Sequence, residues 1–170
     1  RRWCAVTAPL DGVRVLDRSR LLPGPVCTLH LADLGADVVK REDTGAGDYA
    51  RSLGLAPTGD GRAPSDAPSA FFRMVNRNKR SITLDLKLDS DLRTLHELVL
   101  RSDVFVTNVP RIDSLRRARI DPETLRAPNP RLVYAAISGY GHSGPKAGRG
   151  GYDTIAQGES GLMAITGGAY

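Results

Sequence analysis

Between Leu10 and Glu42 the chain reads LDGVRVLDRSRLLPGPVCTLHLADLGADVVKRE, closing a strand, a helix and a second strand within 33 residues. Val13, Val15 and Leu16 supply a short apolar strand. Pro25 is suited to the first position of a helix, Cys27, Leu31 and Leu34 then share one helical face, and Gly35 ends it. Val38 and Val39 begin the next strand. A crossover this short between parallel strands is almost always right-handed, so the segment predicts the opening unit of an α/β fold.

The first turn of that unit constrains the ligand. A dinucleotide-binding turn carries G-x-G-x-x-G, whose backbone N–H groups hold a pyrophosphate at the helix N-terminus. Here the turn is Leu22-Pro23-Gly24-Pro25, and two of the donors are proline nitrogens without hydrogen. This argues against NAD or FAD, although Glu42 stands near the usual ribose-binding distance. Glu42 either points at a ligand or pairs with Lys40 or Arg41.

At 170 residues with 41% hydrophobic side chains the chain can bury one core. Few aromatics (5%) and 18 glycines favour an α/β domain with tight turns over a β-sandwich. The net charge of +5 and a pI near 9.6 invite an anionic partner. The cations are scattered, apart from Arg116, Arg117 and Arg119, and no aromatic residues interleave with that cluster, so a phosphorylated small molecule is favoured over nucleic acid. No segment reads as a membrane span. Cys4 and Cys27 form neither a disulfide framework nor a metal spacing, and His30, His96 and His142 are far apart, so no metal is assigned. A reducing compartment fits: the cytoplasm of a bacterium or the mitochondrial matrix of a eukaryote, and not secretion. The start Arg1-Arg2-Trp3-Cys4 lacks an initiating methionine and a secretory apolar run, so the chain reads as a processed product or a fragment.

The expected organisation is an irregular N-terminus over 1–8 and one Rossmann-like domain over 9–170, with 44–69 a long loop opening with Gly45-Ala46-Gly47-Asp48. Ile82, Leu84 and Leu86 alternate as a strand. Leu92, Leu95, Leu98 and Val99 follow at helical spacing behind a Ser90 cap. Val104 to Val106 is a strand, Asp121-Pro122-Glu123 a capped helix start, Asn129-Pro130 a turn, and Leu132 to Ile137 a fully apolar strand. After the glycine-rich run from Gly139 to Gly151, Asp153 caps a helix carrying Ile155, Leu162 and Met163 that stops at Gly167-Gly168. The sum is a parallel sheet flanked by helices, with ligand loops at the strand carboxyl ends.

LDGVRVLD with PGP, LADLGADVVKRE, GAGDYAR, NRNKRSITLDLK, LRSDVFVTN, NPRLVYAAISGYGHSGP and GYDTIAQGESGLMAITG stand in the order and near the spacing of one family. The chain resembles the family III CoA-transferases (CaiB/BaiF family), a group that includes formyl-CoA transferase, succinyl-CoA:dicarboxylate transferases and α-methylacyl-CoA racemase. The run GYD…SGLMAITG is most similar to the succinyl-CoA:dicarboxylate branch. The resemblance implies that acyl-CoA is a substrate with no permanently bound cofactor, that a small carboxylic acid is the acceptor, and that the full-length protein is an interlocked homodimer. Carried over by position, the coenzyme A contacts are Arg20, Leu22 and Pro23 in the first turn, Leu84-Asp85-Leu86-Lys87, Asn108, Arg117, and Tyr152-Asp153. Lys87 and Arg117 would bring charge to the phosphates from neighbouring loops. Their bland reading is as solvated surface cations.

Several positions depart from the family pattern. Asp43 stands where an arginine or a small residue is common, removing a possible phosphate contact, and 109 to 119 is altered. The family's nucleophile, an aspartate needed for an anhydride and then an aspartyl-CoA thioester, has no counterpart before Tyr170, so this stretch alone is expected not to turn over. Asp153 reads as a cap or a substrate-orienting group. Tyr152 occupies the place of the racemase branch's catalytic histidine, and a phenol is a poor replacement in α-proton abstraction, which favours transferase over racemase. A racemase-like fragment and a non-catalytic CoA-binding or interaction domain are the alternatives. His142 reads as an ordinary loop residue.

Overall fold

A computed structural model describes residues 7–53 and 68–167. The N-terminal Arg1 to Cys4, the 54–67 part of the expected long loop and Gly168 lie outside the described residues. Five strands, β1 (Arg14–Arg18), β2 (Asp37–Glu42), β3 (Lys79–Thr83), β4 (Val104–Thr107) and β5 (Val133–Ala136), form one parallel sheet in the order β3-β2-β1-β4-β5. The helices are α1 (Pro23–Asp33), α2 (Ala70–Asn76), α3 (Asp89–Leu100), α4 (Ile112–Arg117), α5 (Pro122–Arg126), α6 (Asp153–Glu159) and α7 (Leu162–Thr166), with a 3-10 turn at Tyr49–Ser52. The order reverses between β1 and β4. In an open parallel sheet the ligand crevice lies at that point, beyond the strand carboxyl ends.

Alternation along the strands builds two cores. Leu16 and Phe105 pack with Leu92, Leu95, Val99, Leu115 and Leu125 on the face of α3 to α5. Val15, Val38 and Val106 point the other way, against Ala32 of α1. Each fully buried apolar side chain contributes on the order of 1.5–3 kcal/mol, so the sheet is fixed from both faces. Gly35 (φ +99) terminates α1 as expected. Its N–H donates to Ala32 O and that of Ala36 to Leu31 O, and a Cβ at Gly35 would lie 2.3 Å from that of Ala8.

Several elements differ from expectation. Helix α1 begins two residues early, at Pro23, and buries Pro25, Thr28, Leu29 and Ala32, whereas Leu34 is 46% exposed and Cys27 and Leu31 are half-buried. The polar Thr28 faces inward because its hydroxyl donates to Asp17, which hydrophobic periodicity alone does not show. Helix α2, which the sequence reading does not include, is capped by Ser69, whose Oγ accepts from the Phe72 amide at 3.0 Å. Strand β3 ends at Thr83, one residue before the buried Leu84. Ser90 lies inside the first turn of α3 and does not cap it. Leu88 holds that position without a side-chain bond, and Asp89 and Asp91 place acidic side chains in the first turn. Strand β5 is an edge strand, so its Val133 is 59% exposed. The last helix is broken at Gly161 (φ +78) into α6 and α7, and Asp153 is the first residue of α6, bonded to Gln157 and capping nothing. The Asp121 cap on α5 stands, with its carboxylate accepting from the Thr124 amide at 3.0 Å.

Candidate functional site

Chain reversal after β1 and β4 opens a crevice of about 460 Å³. Its floor is the β1–α1 turn, through Arg20, Leu21 and Pro23; Asn108 and Pro110 follow β4; Ile137 to Gly139 and Gly150 to Tyr152 form the far wall, and Tyr49 stands at the side. That far wall depends on two glycines in contact. A Cβ on Gly139 would meet Gly151 Cα at 2.4 Å, and one on Gly151 would meet Gly139 Cα at 2.5 Å. Glu159 of α6 ties down the loop between them, pairing with Lys146 (2.6 Å) and Arg149 (3.0 Å).

The floor turn has few free amides. Ser19 N–H donates to Asp17 Oδ1 (2.9 Å), Arg20 N–H to Asn108 Oδ1 (3.0 Å) and Leu21 N–H to Asp48 Oδ1 (3.1 Å), and Pro23 and Pro25 have none. Asn108 also returns its Nδ2 donor to Arg20 O at 2.7 Å, stapling the turn to the end of β4. These bonds hold Leu21 at φ +66, a left-handed conformation that costs a non-glycine residue about 1 kcal/mol or more and survives only where neighbours enforce it.

Beneath the turn lies a buried ionic layer on the α1 face of the sheet. Asp17 is fully buried and accepts from Ser19, Thr28 and Lys79 (3.1 Å). Lys40, 1% exposed, donates to Ser19 O (2.9 Å) and pairs with Asp48 at 2.8 Å. Burial works against the Asp17 anion, but the Lys40 and Lys79 ammonium groups and the two hydroxyls outweigh it and hold its carboxyl below the ordinary range. Burial in turn pulls Lys79 down, against the pull of Asp17. Glu42 pairs with Arg51 rather than with Lys40 or Arg41. It accepts both Arg51 Nε (2.6 Å) and Nη2 (2.7 Å), Ser81 Oγ (2.6 Å) and the Asp48 amide (3.1 Å).

Of the positions carried over from the resemblance, Arg20, Pro23, Asn108 and Tyr152 line the crevice. Leu22 is exposed beside it, and Asp153 follows Tyr152 at the start of α6. Leu84 is buried with its carbonyl accepting from Arg41, Asp85 accepts from the Lys87 amide (3.0 Å), and Leu86 packs on the larger core. Lys87 and Arg117 are exposed and are not among the residues lining the crevice; Arg117 donates to Ser114 Oγ at 3.3 Å on its own helix. Tyr49, Ser138 and Gly139 are crevice residues without a separate sequence signal. Their motifs, GAGDYAR and SGYG, were the available pointers. His142 approaches Val109 O at 3.3 Å. Among the described residues no three His, Cys, Asp or Glu side chains gather as a metal site, and no helix is long and apolar enough to cross a membrane.

Residues 10–170 match the sequence model of CoA-transferase family III. A succinate–glutarate CoA-transferase of Agrobacterium fabrum is 43% identical over 161 residues, which are 94% of this chain and 39% of that protein. A succinyl-CoA:mesaconate CoA-transferase of Haloarcula hispanica is 43% identical over 93% of this chain and 40% of its own length. The crystal structure of a CaiB/BaiF family protein from Brucella suis superposes with a TM-score of 0.83 at 39% identity, over 95% of this chain and 41% of that one. The chain thus spans about two fifths of the length of these relatives.

Proposed function

The chain belongs to CoA-transferase family III, and from that premise we propose that it forms the coenzyme A-binding part of an enzyme that moves coenzyme A from an acyl-CoA to a carboxylic acid. The observation that carries this reading is the crevice at the sheet's reversal point, whose floor turn has its Ser19, Arg20 and Leu21 amides tied to side chains and prolines at 23 and 25. Such a turn suits a ligand whose phosphates are met by cationic side chains rather than by a main-chain nest. Arg20 supplies one such cation, and Tyr49 and Tyr152 line the same opening.

The proposed catalytic steps use the aspartate nucleophile that the resemblance implies, for which residues 1–170 hold no counterpart. That aspartate attacks the donor thioester and expels the coenzyme A thiolate, leaving a mixed anhydride. The thiolate then attacks the aspartyl carbonyl, freeing the donor acid and leaving an aspartyl-CoA thioester. The acceptor carboxylate attacks this thioester and expels the thiolate, leaving a second mixed anhydride between acceptor and aspartate; the thiolate then attacks the acceptor's carbonyl in that anhydride, giving the acceptor's CoA thioester and freeing the aspartate. The residues described here would hold the thiolate in place between these attacks. Relatives at 43% identity are named for succinate with glutarate and for succinyl-CoA with mesaconate, so a succinyl donor and a dicarboxylate acceptor are proposed for this chain. Ile155, Leu162, Met163 and Ile165 are exposed on α6 and α7, a face suited to further polypeptide and consistent with an intertwined homodimer.

The test is to incubate the intact protein with succinyl-CoA and glutarate and follow glutaryl-CoA by mass. Exchange is expected. Solvent deuterium entering the α-carbon of a branched acyl-CoA without any exchange would replace this reading with the racemase one. Saturable coenzyme A binding by calorimetry is expected too, and a folded protein that gives no heat would leave a non-catalytic domain.

Gly139→Ala tests the wall. Because Gly151 Cα cannot be displaced without moving the loop, coenzyme A affinity is expected to fall about tenfold or more. Both glycines are exposed, so thermal stability should stay within about 1 kcal/mol of wild type. Unchanged affinity in the calorimeter would show that the ligand does not use this wall.

A further inference from the structure

We infer that Asp48 is a positioning residue for the transfer reaction, its one buried carboxylate setting both the floor and the side of the crevice. The inference rests on the coenzyme A reading above and gives a role to a residue that the sequence marks only as part of a loop opening. Leu21 and Tyr49 line the crevice from two segments far apart in the chain. Asp48, 1% exposed, is bonded to both segments.

Its two oxygens have separate partners. Oδ1 accepts from the Leu21 amide at 3.1 Å and from the Ala50 amide at 3.0 Å, whereas Oδ2 lies 2.8 Å from Lys40 Nζ. Leu21 stands at φ +66, where any residue with a Cβ is strained, and the bond its own N–H makes to a charged acceptor is strong enough to keep it there. The bond to Ala50 caps the 3-10 turn at Tyr49–Ser52 and so fixes where Tyr49 leaves the backbone. Lys40 closes the frame from below. Its ammonium donates to Ser19 O at 2.9 Å, so the turn through Ser19, Arg20 and Leu21 is gripped at one end by the lysine and at the other by the carboxylate beside that lysine.

Asp48 is itself held in place. Its amide donates to Glu42 Oε2 at 3.1 Å, and a Cβ on the preceding Gly47 would lie 2.8 Å from that same oxygen, so the backbone passes Glu42 too closely for a side chain at 47. The 3-10 turn has a second anchor without Asp48: Ser69 Oγ donates to Ala50 O at 2.7 Å and the Ser69 amide to Arg51 O at 2.9 Å. Loss of the Asp48 side chain therefore frees the Leu21 peptide and Tyr49 while the turn stays tied to the start of α2. The ion pair at Oδ2 serves stability, and the two amides at Oδ1 serve the shape of the crevice.

The test uses the intact protein, with Asp48→Ala made alone and together with Leu21→Gly, and titrates each protein with coenzyme A. Glycine adopts a positive φ without the cost that leucine bears, so beside Leu21→Gly the turn no longer depends on the carboxylate to hold it. Asp48→Ala is expected to weaken coenzyme A by about tenfold when residue 21 is leucine, and by about threefold or less relative to Leu21→Gly alone. The fall in melting temperature should be the same in both backgrounds, because the Lys40–Asp48 pair does not involve residue 21. A purely structural role predicts equal losses of affinity in the two backgrounds, and that result overturns the inference, as does unchanged affinity in Asp48→Ala. If Asp48→Ala does not fold, Lys40→Met/Asp48→Ala removes the ion pair as a unit and enters the same comparison. Hydrogen exchange on unliganded wild type needs no variant: the Leu21 amide is expected to be protected, and exchange at the rate of an open loop overturns the inference. Wild-type protein that fails to bind coenzyme A while its Leu21 amide is protected would instead overturn the reading beneath.

Discussion

Asp17→Ala is expected to destabilise the folded protein by about 3–5 kcal/mol, a large share of the roughly 5–15 kcal/mol that holds a domain together. Its carboxylate is fully buried and accepts from the Ser19 amide and hydroxyl, the Thr28 hydroxyl and the Lys79 ammonium. Lys40 and Lys79 are themselves 2% and 1% exposed at the side chain. Removing the anion leaves Lys79 with only the neutral acceptors Pro25 O (2.8 Å) and Asn76 Oδ1 (3.0 Å), and leaves Lys40 with Asp48 and Ser19 O. A buried charge that loses its partner is far more damaging than a pair replaced as a unit. Asp17→Asn, which keeps one acceptor without the charge, should therefore lie between alanine and wild type. Urea unfolding with an unchanged m-value measures the difference. If Asp17→Ala lies within about 1 kcal/mol of wild type, the layer beneath the turn does not hold the fold as described.

The same layer explains which parts of the site were legible in the sequence. The strand–helix–strand unit from Leu10 could be read because its apolar residues repeat at strand and helix periods and Gly35 marks the stop. The ligand loops were expected at the strand carboxyl ends, where the crevice lies, and the poverty of the turn in free amides followed in part from its two prolines. What periodicity passes over is a polar group pointing inward. Lys40 is among the largest fully buried side chains, although lysine ordinarily belongs to the surface, and Thr28 turned α1 by one position from the face that Cys27, Leu31 and Leu34 suggested. Asp48 meets Leu21 across 27 residues of chain, a pairing that no local window contains. For the same reason the cations named by positional resemblance, Lys87 and Arg117, are not among the residues lining the crevice.

Acid should loosen this arrangement, and Glu42 sets the window. Burial opposes its ionisation, but the bonds from Arg51, Ser81 and the Asp48 amide prevail and bring its carboxyl from the ordinary 4.5 down to about 2. A group whose folded value lies below its unfolded one stabilises the fold above the unfolded value and loses that stabilisation as pH falls through the folded one. The contribution is therefore complete above about pH 4.5 and gone near pH 2, with Asp17, also held low, acting in the same direction. The drop corresponds to roughly 3 kcal/mol, and because the Arg51 side chain is 35% exposed, water screening reduces it to about 2 kcal/mol. Glu42→Gln should accordingly be about 2 kcal/mol less stable at pH 7, and its unfolding curve should converge with wild type as the pH approaches 2. Gly47 and Asp48 lean on the same carboxylate, so the variant should also weaken coenzyme A binding at neutral pH by freeing the segment that fixes Leu21. Chemical unfolding of both proteins between pH 2 and 7 decides the matter: parallel curves would mean that Glu42 has the same proton affinity folded and unfolded, and that its bonds to Arg51 and Ser81 do not hold the crevice floor.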